Sequence, residues 1–313
     1  MRVIFFGSGS FALPTLQALC GSSHQVAAVI TQPPRPAGRG TRLRPTLIAS
    51  AARAAGLEVH EAENVNCPDL VQRVGDIEPD VEVVVEFGQK ILAPMRQAAK
   101  FEAFNLHGSL LPQLRGAGPV NWAIIRGYET TGVTTFRLVD RMDAGPIYLT
   151  RQVAIGRRET AEQLRLRLAE LGAQLVLETL GQMSANWSEP SEQDEDQATH
   201  APRLSREDGR LDFAEPADAL RCRINGTYPW PGAHARFISQ QRSGPIDVVL
   251  ARADSDDQPL DAPAGTVDPQ HRIATGKGSL EILEIKPAGK RLMDWKDFAN
   301  GYRVRPGDRF ETL

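Results

Sequence analysis

Up to Met183 the sequence alternates short apolar runs with helix-like stretches, and beyond His200 it does not. Arg2–Phe6 reads as a continuous apolar strand, Phe11–Cys20 has helical spacing, and Val26–Thr31 reads as a second strand. Leu47–Ala55 is alanine-rich and helical, Asp80–Glu86 closes a third strand–helix unit, Ala103–Leu106 is short and apolar, and Val133–Leu138 alternates. Strands that alternate with helices in this way predict a parallel α/β sheet. Thr160 and Gln163 have the spacing of a capping box, in which each side chain bonds the other's backbone N–H at a helix start. Leu164, Leu168, Leu171, Leu175 and Leu180 then form a stripe that packing alone explains.

The pattern breaks at Ser184–His200, a polar, acidic stretch containing Pro190 that reads as an exposed linker. After it come short strands at Ala233–Ile238, Ile246–Ala251, Gly265–Val267, Arg272–Thr275 and Ser279–Lys286, separated by turns rich in Gly, Pro and Asp. A small β-barrel of about 100 residues suits this spacing better than a second α/β unit. The expected organisation is a catalytic domain over 1–185, a linker over 186–204 and a barrel domain over 205–313.

Apolar residues at 41% suffice for a substantial core, and no apolar run is long enough for a membrane span. Cys20, Cys67 and Cys222 are odd in number and lack metal-ligand spacing, which argues against a disulfide scaffold and against a metal site, and makes a cytoplasmic address the default expectation. The net charge of −3 gives no sign of a nucleic-acid partner, but its distribution does. No acid precedes Glu58, whereas Arg35, Arg39, Arg42 and Arg44 crowd one loop rich in Gly and Pro. That loop is either a solvated, soluble turn or a local positive field for a polyanion.

Gly7-Ser-Gly9-Ser-Phe-Ala12 fits the G-x-G-x-x-A turn of dinucleotide-binding folds. Those folds also place an acid about twenty residues on, to hold the ribose. Here the second strand ends in Thr31-Gln32 and the region carries no acid, so the glycines are assigned to a tight turn and close helix packing.

The densest polar segment in an apolar setting is Asn105-Leu-His107-Gly-Ser109-Leu-Leu-Pro112, followed by Arg115-Gly116. Side chains two apart on an extended chain share a face, so Asn105 and His107 project together at a strand end, where open α/β sheets bind ligands. Met142-Asp143-Ala-Gly145 puts an acid in a turn after the Val133–Leu138 strand, within reach of the imidazole if the two strands are neighbours. An amide donor, an imidazole and a carboxylate suit acyl transfer without a covalent intermediate. Asn105 donates to the oxygen that becomes negative, His107 stabilises it or passes a proton, and Asp143 favours a charged ring or takes the amine's proton. The alternative, a hydrogen-bonded structural histidine, is open on motif shape alone.

Together with Thr131-Gly-Val-Thr134 and Met142-Asp143-Ala-Gly145, that segment resembles the folate-dependent formyltransferase family. The resemblance extends through Arg35–Leu43, Val84–Gln89, Ala201–Leu204, Glu207–Arg210, Pro229–Gly232, Asn300–Arg303 and Pro306–Asp308, nearly the whole chain. It implies a Rossmann-like parallel sheet followed by an OB-like β-barrel. It implies 10-formyltetrahydrofolate as donor, no metal, and the α-amino group of methionyl-initiator tRNA as acceptor, with the protein acting as a monomer. Asn105, His107 and Asp143 match the family's catalytic positions. Gln89, Ser109, Leu110, Leu111 and Pro112 match its folate-contacting segments, and Arg35, Arg39 and Arg42 its basic loop near the acceptor stem. An amino-sugar formyltransferase and a formyl-folate hydrolase are the rival readings within the family, and the arginine loop argues against both. Glu86 departs from the family pattern beside the pterin, where it either bonds the pterin or points to solvent.

Overall fold

The computed structural model describes residues 1–36, 43–101, 103–185, 190–241 and 244–313. Two compact units partition it. The first holds Met1–Gly116, Gly132–Val153 and Arg165–His200, and the second Ala117–Thr131, Ala154–Leu164 and Ala201–Leu313. In chain order the strands of the first half are β1 (Arg2–Gly7), β2 (Gln25–Thr31), β3 (Arg35–Pro36), β4 (Leu43–Arg44), β5 (Val59–Glu61), β6 (Val81–Val85), β7 (Ala103–His107), β8 (Thr130–Arg137) and β9 (Ile147–Ala154). The helices among them are α1 (Leu13–Cys20), α2 (Leu47–Ala54), α3 (Pro68–Asp76), α4 (Ala93–Arg96), α5 (Pro119–Ile125) and α6 (Ala161–Ser184).

Seven of these strands form one sheet in the order β5-β2-β1-β6-β7-β8-β9. The pairs β5–β2, β2–β1, β1–β6 and β6–β7 are parallel, and β8 runs antiparallel to β7. Val3–Phe6 of β1 are fully buried because a parallel strand is covered on both faces, which is why it reads as an unbroken apolar run. Thr46 caps α2 through its hydroxyl, which accepts from the Ala49 amide at 2.9 Å. Thr160 and Gln163 form the expected reciprocal box at the start of α6, with bonds of 3.0 and 3.3 Å. Leu164, Leu168, Leu175 and Leu180 of that helix are buried. At Gly172 a Cβ would lie 2.5 Å from the Leu106 side chain, so the missing side chain lets α6 press onto β7.

The second unit adds α7 (Ala217–Thr227), β10 (Ala233–Ile238), β11 (Ile246–Asp256), β12 (Ile273–Ala274), β13 (Ser279–Pro287), β14 (Met293–Asp294), α8 (Trp295–Tyr302) and β15 (Arg309–Thr312). Its sheet is antiparallel in the order β12-β13-β11-β10-β15, with β14 beside β13. Residues 265–268 stitch the two edges: Gly265 donates to Ala274 and accepts from Phe310, and Val267 donates to Asp308, each at 2.8 Å. That bridge curls the sheet into a barrel and leaves fewer edge groups to be satisfied. Its core is Leu211, Leu220, Phe237, Leu250, Ile282, Phe298 and Phe310 with their neighbours. Among the described residues no helix is long and apolar enough to cross a membrane.

Candidate active site

β7 ends next to the sheet's change of direction, with β6 parallel on one side and β8 antiparallel on the other. Asn105 and His107 share one face of it, while Phe104 and Leu106 are buried on the other. The His107 ring is 6% exposed and meets Phe136 edge-on at 6.4 Å. Its Nε2 lies 2.9 Å from the Leu114 carbonyl. A carbonyl only accepts, so Nε2 carries the hydrogen and Nδ1 is the nitrogen left for chemistry. Nδ1 is 3.8 Å from Asp143 Oδ2, an ion-pair distance beyond direct hydrogen bonding. Asn105 Oδ1 is buried without a hydrogen-bond partner. An acceptor kept from water without a donor costs about 1–3 kcal/mol, which a ligand N–H would recover.

Asp143 comes from the turn between β8 and β9, at a φ of 53° in the left-handed region. Its Oδ2 accepts the Gly116 amide at 2.8 Å, so the carboxylate is tied to the loop after β7. Gly145 makes the turn possible, because a Cβ there would lie 1.8 Å from the Arg137 carbonyl oxygen.

Residues 109–112 form a tight loop over β8. The Ser109 hydroxyl is fully buried and donates to the Gln113 carbonyl at 2.6 Å, which leaves it no nucleophilic role. Thr134 donates to the Ser109 carbonyl at 2.7 Å and accepts from the Leu111 amide at 3.2 Å. Leu111 is buried, and Leu110 and Pro112 are half-buried. The Gln89 amide is committed internally, accepting from Val65 at 2.9 Å and donating to Ala62 at 2.8 Å. Its side chain therefore braces the loop after β6. Arg35 is exposed, with its guanidinium 3.0 Å from Gln32 Oε1, and pairs across the β3–β4 ribbon with Arg44. Arg39 and Arg42 lie outside the described residues.

Glu86 is exposed, yet its carboxylate bonds its own chain. With φ at 46° it turns back so that its Oε2 accepts the Phe11 amide at 2.9 Å, while Arg165 pairs with Oε1. A Cβ on Gly9 would lie 2.0 Å from that carboxylate. The glycine turn thus holds an anion supplied by its own chain, in the place where a helix N-terminus would draw a phosphate.

Sequence reasoning missed the partners that hold the site together. Residues 191–200, read from composition as linker, are fastened to the first unit. Ser191 and Ile147 exchange backbone bonds of 2.7 and 2.9 Å, and Thr199 accepts from the Arg115 amide at 2.8 Å. Gln193 is 8% exposed, and Arg115 holds Glu195 through two hydrogen bonds of 2.9 and 3.1 Å. The Arg115 hydrogen bond keeps the Glu195 carboxyl below the usual range. The only signal in the sequence was Arg115, just after the Asn105–Pro112 segment, since a glutamine in an acidic run carries none.

Comparison with known proteins agrees along the whole chain. Residues 1–180 match the family described as formyl transferase, and residues 203–303 the family described as formyl transferase, C-terminal domain. A methionyl-tRNA formyltransferase of Solibacter usitatus is 40% identical over 314 residues, covering 99% of this chain and 98% of that protein. Those of Methylococcus capsulatus and Heliobacterium modesticaldum are 38% and 37% identical, covering 100% and 99% of this chain and 100% of each relative. Among solved structures, the N-formyltransferase of Helicobacter canadensis with folinic acid and dTDP-3-aminofucose has a TM-score of 0.68 at 15% identity, over 92% of this chain and 99% of that one. HypX of Aquifex aeolicus with tetrahydrofolic acid has a TM-score of 0.63 at 19% identity, over 96% of this chain, which spans 47% of HypX. At these identities the structures speak for the fold alone. Matches to both domain families and to full-length relatives above 30% identity settle the classification: the chain belongs to the formyl transferase family.

Proposed function

We propose that this chain transfers the formyl group of 10-formyltetrahydrofolate to the α-amino group of methionyl-initiator tRNA in the cytoplasm, for translation initiation, and acts as a monomer. The observation that carries the acceptor is likeness over the full length, barrel included, to methionyl-tRNA formyltransferases. The donor is supported by the family and by the open amide and imidazole at the end of β7.

In this reading the formyl carbon sits in front of Asn105 and His107. The Asn105 amide donates to the formyl oxygen as the amine attacks, and its buried Oδ1 receives an N–H of that amine. His107 acts through Nδ1, stabilising the oxygen or passing a proton to the departing folate nitrogen. Asp143, anchored by Gly116, takes the proton the amine must lose, directly or through a water. One C–N bond forms, one breaks, and one proton crosses from amine to folate. Ser109, Leu110, Leu111 and Pro112 shape the folate wall through backbone and apolar surface, and Gln89 does so by bracing the loop after β6. Arg35, Arg39 and Arg42 contact tRNA phosphates.

The test is an acceptor panel: formyl-labelled folate with methionyl-tRNA, an amino-sugar nucleotide, or buffer. Label should appear on methionyl-tRNA. Label confined to the sugar, or released as formate, would reject the acceptor.

A further inference from the structure

The segment after α6 reaches both loops that carry the catalytic groups. Gln193 donates its amide nitrogen to the carbonyls of Asp143 at 2.9 Å and Gly145 at 2.7 Å. Its Oε1 accepts from Arg115 Nε at 3.0 Å and Nη2 at 2.7 Å. The amide is therefore saturated and cannot rotate without breaking several bonds. Arg115 is 4% exposed and locked in turn by Glu195. Six residues on, the Thr199 hydroxyl accepts the Leu114 amide at 2.9 Å. Leu114 is the residue whose carbonyl takes His107 Nε2, and it sits at a φ of 59°, where a non-glycine residue needs outside support. One strap thus holds the turn of Asp143 with one residue and the loop of His107 with another.

We infer that Gln193 and Thr199 are positioning residues for formyl transfer, the first aiming Asp143 and the second aiming His107. Neither touches the reacting atoms. They act by fixing the separation of His107 Nδ1 from Asp143 Oδ2, and a group misplaced by about 1 Å can lose about a hundredfold in rate. Arg115 and Glu195 complete the same network from behind. The inference rests on the proposed reaction for its kinetic readout, though the geometry stands apart from it.

Substitutions separate positioning from folding. Gln193→Glu keeps an acceptor for Arg115 but loses the donor to Asp143 and Gly145. Thr199→Val keeps the shape but loses the acceptor for Leu114, and Thr199→Ser restores it. Steady-state kinetics across pH, with formyl-labelled folate and methionyl-tRNA, should show kcat down about tenfold or more for Gln193→Glu and Thr199→Val. KM for both substrates should stay within about twofold, the pH–rate profile should be displaced, and Thr199→Ser should be near native. Native kcat and profile in Gln193→Glu and Thr199→Val would overturn the inference, as would a Thr199→Ser variant as slow as Thr199→Val. If the native protein formylates no methionyl-tRNA, the acceptor reading fails instead. The strap is then judged on the His107 ring nitrogen resonances in the free protein. Those resonances should move in Gln193→Glu and Thr199→Val and hold in Thr199→Ser; resonances unchanged in all three would overturn the inference too.

Discussion

His107 has one ring nitrogen committed to the Leu114 carbonyl and the other turned to Asp143, so the ring's orientation and its chemistry are carried by different atoms. Asp143 is not divided in this way, since the same oxygen, Oδ2, accepts from Gly116 and faces the imidazole. Asp143→Asn separates the two roles, because an amide oxygen keeps the acceptor for Gly116 while the charge is removed. Asp143→Asn and His107→Ala should each lower turnover by about a hundredfold or more, as loss of acid–base or oxyanion groups does. Thermal unfolding should change little in Asp143→Asn, and rates near native in either variant would reject the assigned roles. Gly145→Ala acts on the turn instead. With a backbone oxygen 1.8 Å from the new Cβ the turn must shift, and chemical denaturation should show a loss of about 1–3 kcal/mol.

Two carboxylates, one within β6 and one just after it, show how an element can depart from its pattern for different reasons. Glu82 lies in β6, fully buried, with both oxygens unpartnered. Burial pushes its carboxyl up to about 8, against a smaller opposing pull from Arg96. Between about 4.5 and about 8 the unfolded chain has lost this proton while the folded chain keeps it, so stability falls as pH rises through that window. The slope from this one group approaches about 1.4 kcal/mol per pH unit at most. Urea unfolding of Glu82→Leu should be flatter between pH 5 and pH 8, roughly those bounds, and more stable than native at the upper end. A slope equal to native would contradict the burial account. Glu86 is the opposite case, a carboxylate well used. Glu86→Ala removes the acceptor for Phe11 and the partner of Arg165, and should cost about 0.5–2 kcal/mol in urea unfolding, the range of a lost helix cap. At this scale the sequence was legible where burial is one-sided or complete. Ala233–Ile238 is observed at its expected bounds, and the capping box at Thr160 formed. The short edge strand β5, the outer strand β9 and the helices α7 and α8 were not read. Edge strands mix polar and apolar residues, and the exposure of Ile147–Ala154 follows no two-residue alternation.

Over the whole molecule, what could be read and what could not divide along chain distance. Asn105 and His107 were placed together by local geometry, and Asp143 by assuming that two strands are neighbours, which β7 and β8 are. The return of residues 191–200 onto the site joins positions nearly eighty residues apart, such as Arg115 and Gln193, and no local pattern encodes it. A barrel with a short strand at Gly265–Val267 was expected, but single bridges leave little period to show which edges that segment joins. Selection of the tRNA belongs to this scale as well. Arg39→Ala should raise KM for methionyl-tRNA while sparing donor binding, and tRNA affinity should fall steeply with salt, as counterion release requires. Equal loss toward both substrates would count against a role for the loop. The central claim is that Asn105, His107 and Asp143 pass the formyl group straight from folate to amine. Single-turnover quench with formyl-labelled folate and methionyl-tRNA tests it most directly. Label should leave the folate and arrive on tRNA in one phase, with none on the protein, and Asp143→Asn should slow that phase about a hundredfold or more. Label accumulating on the protein, or an Asp143→Asn phase at the native rate, would contradict it.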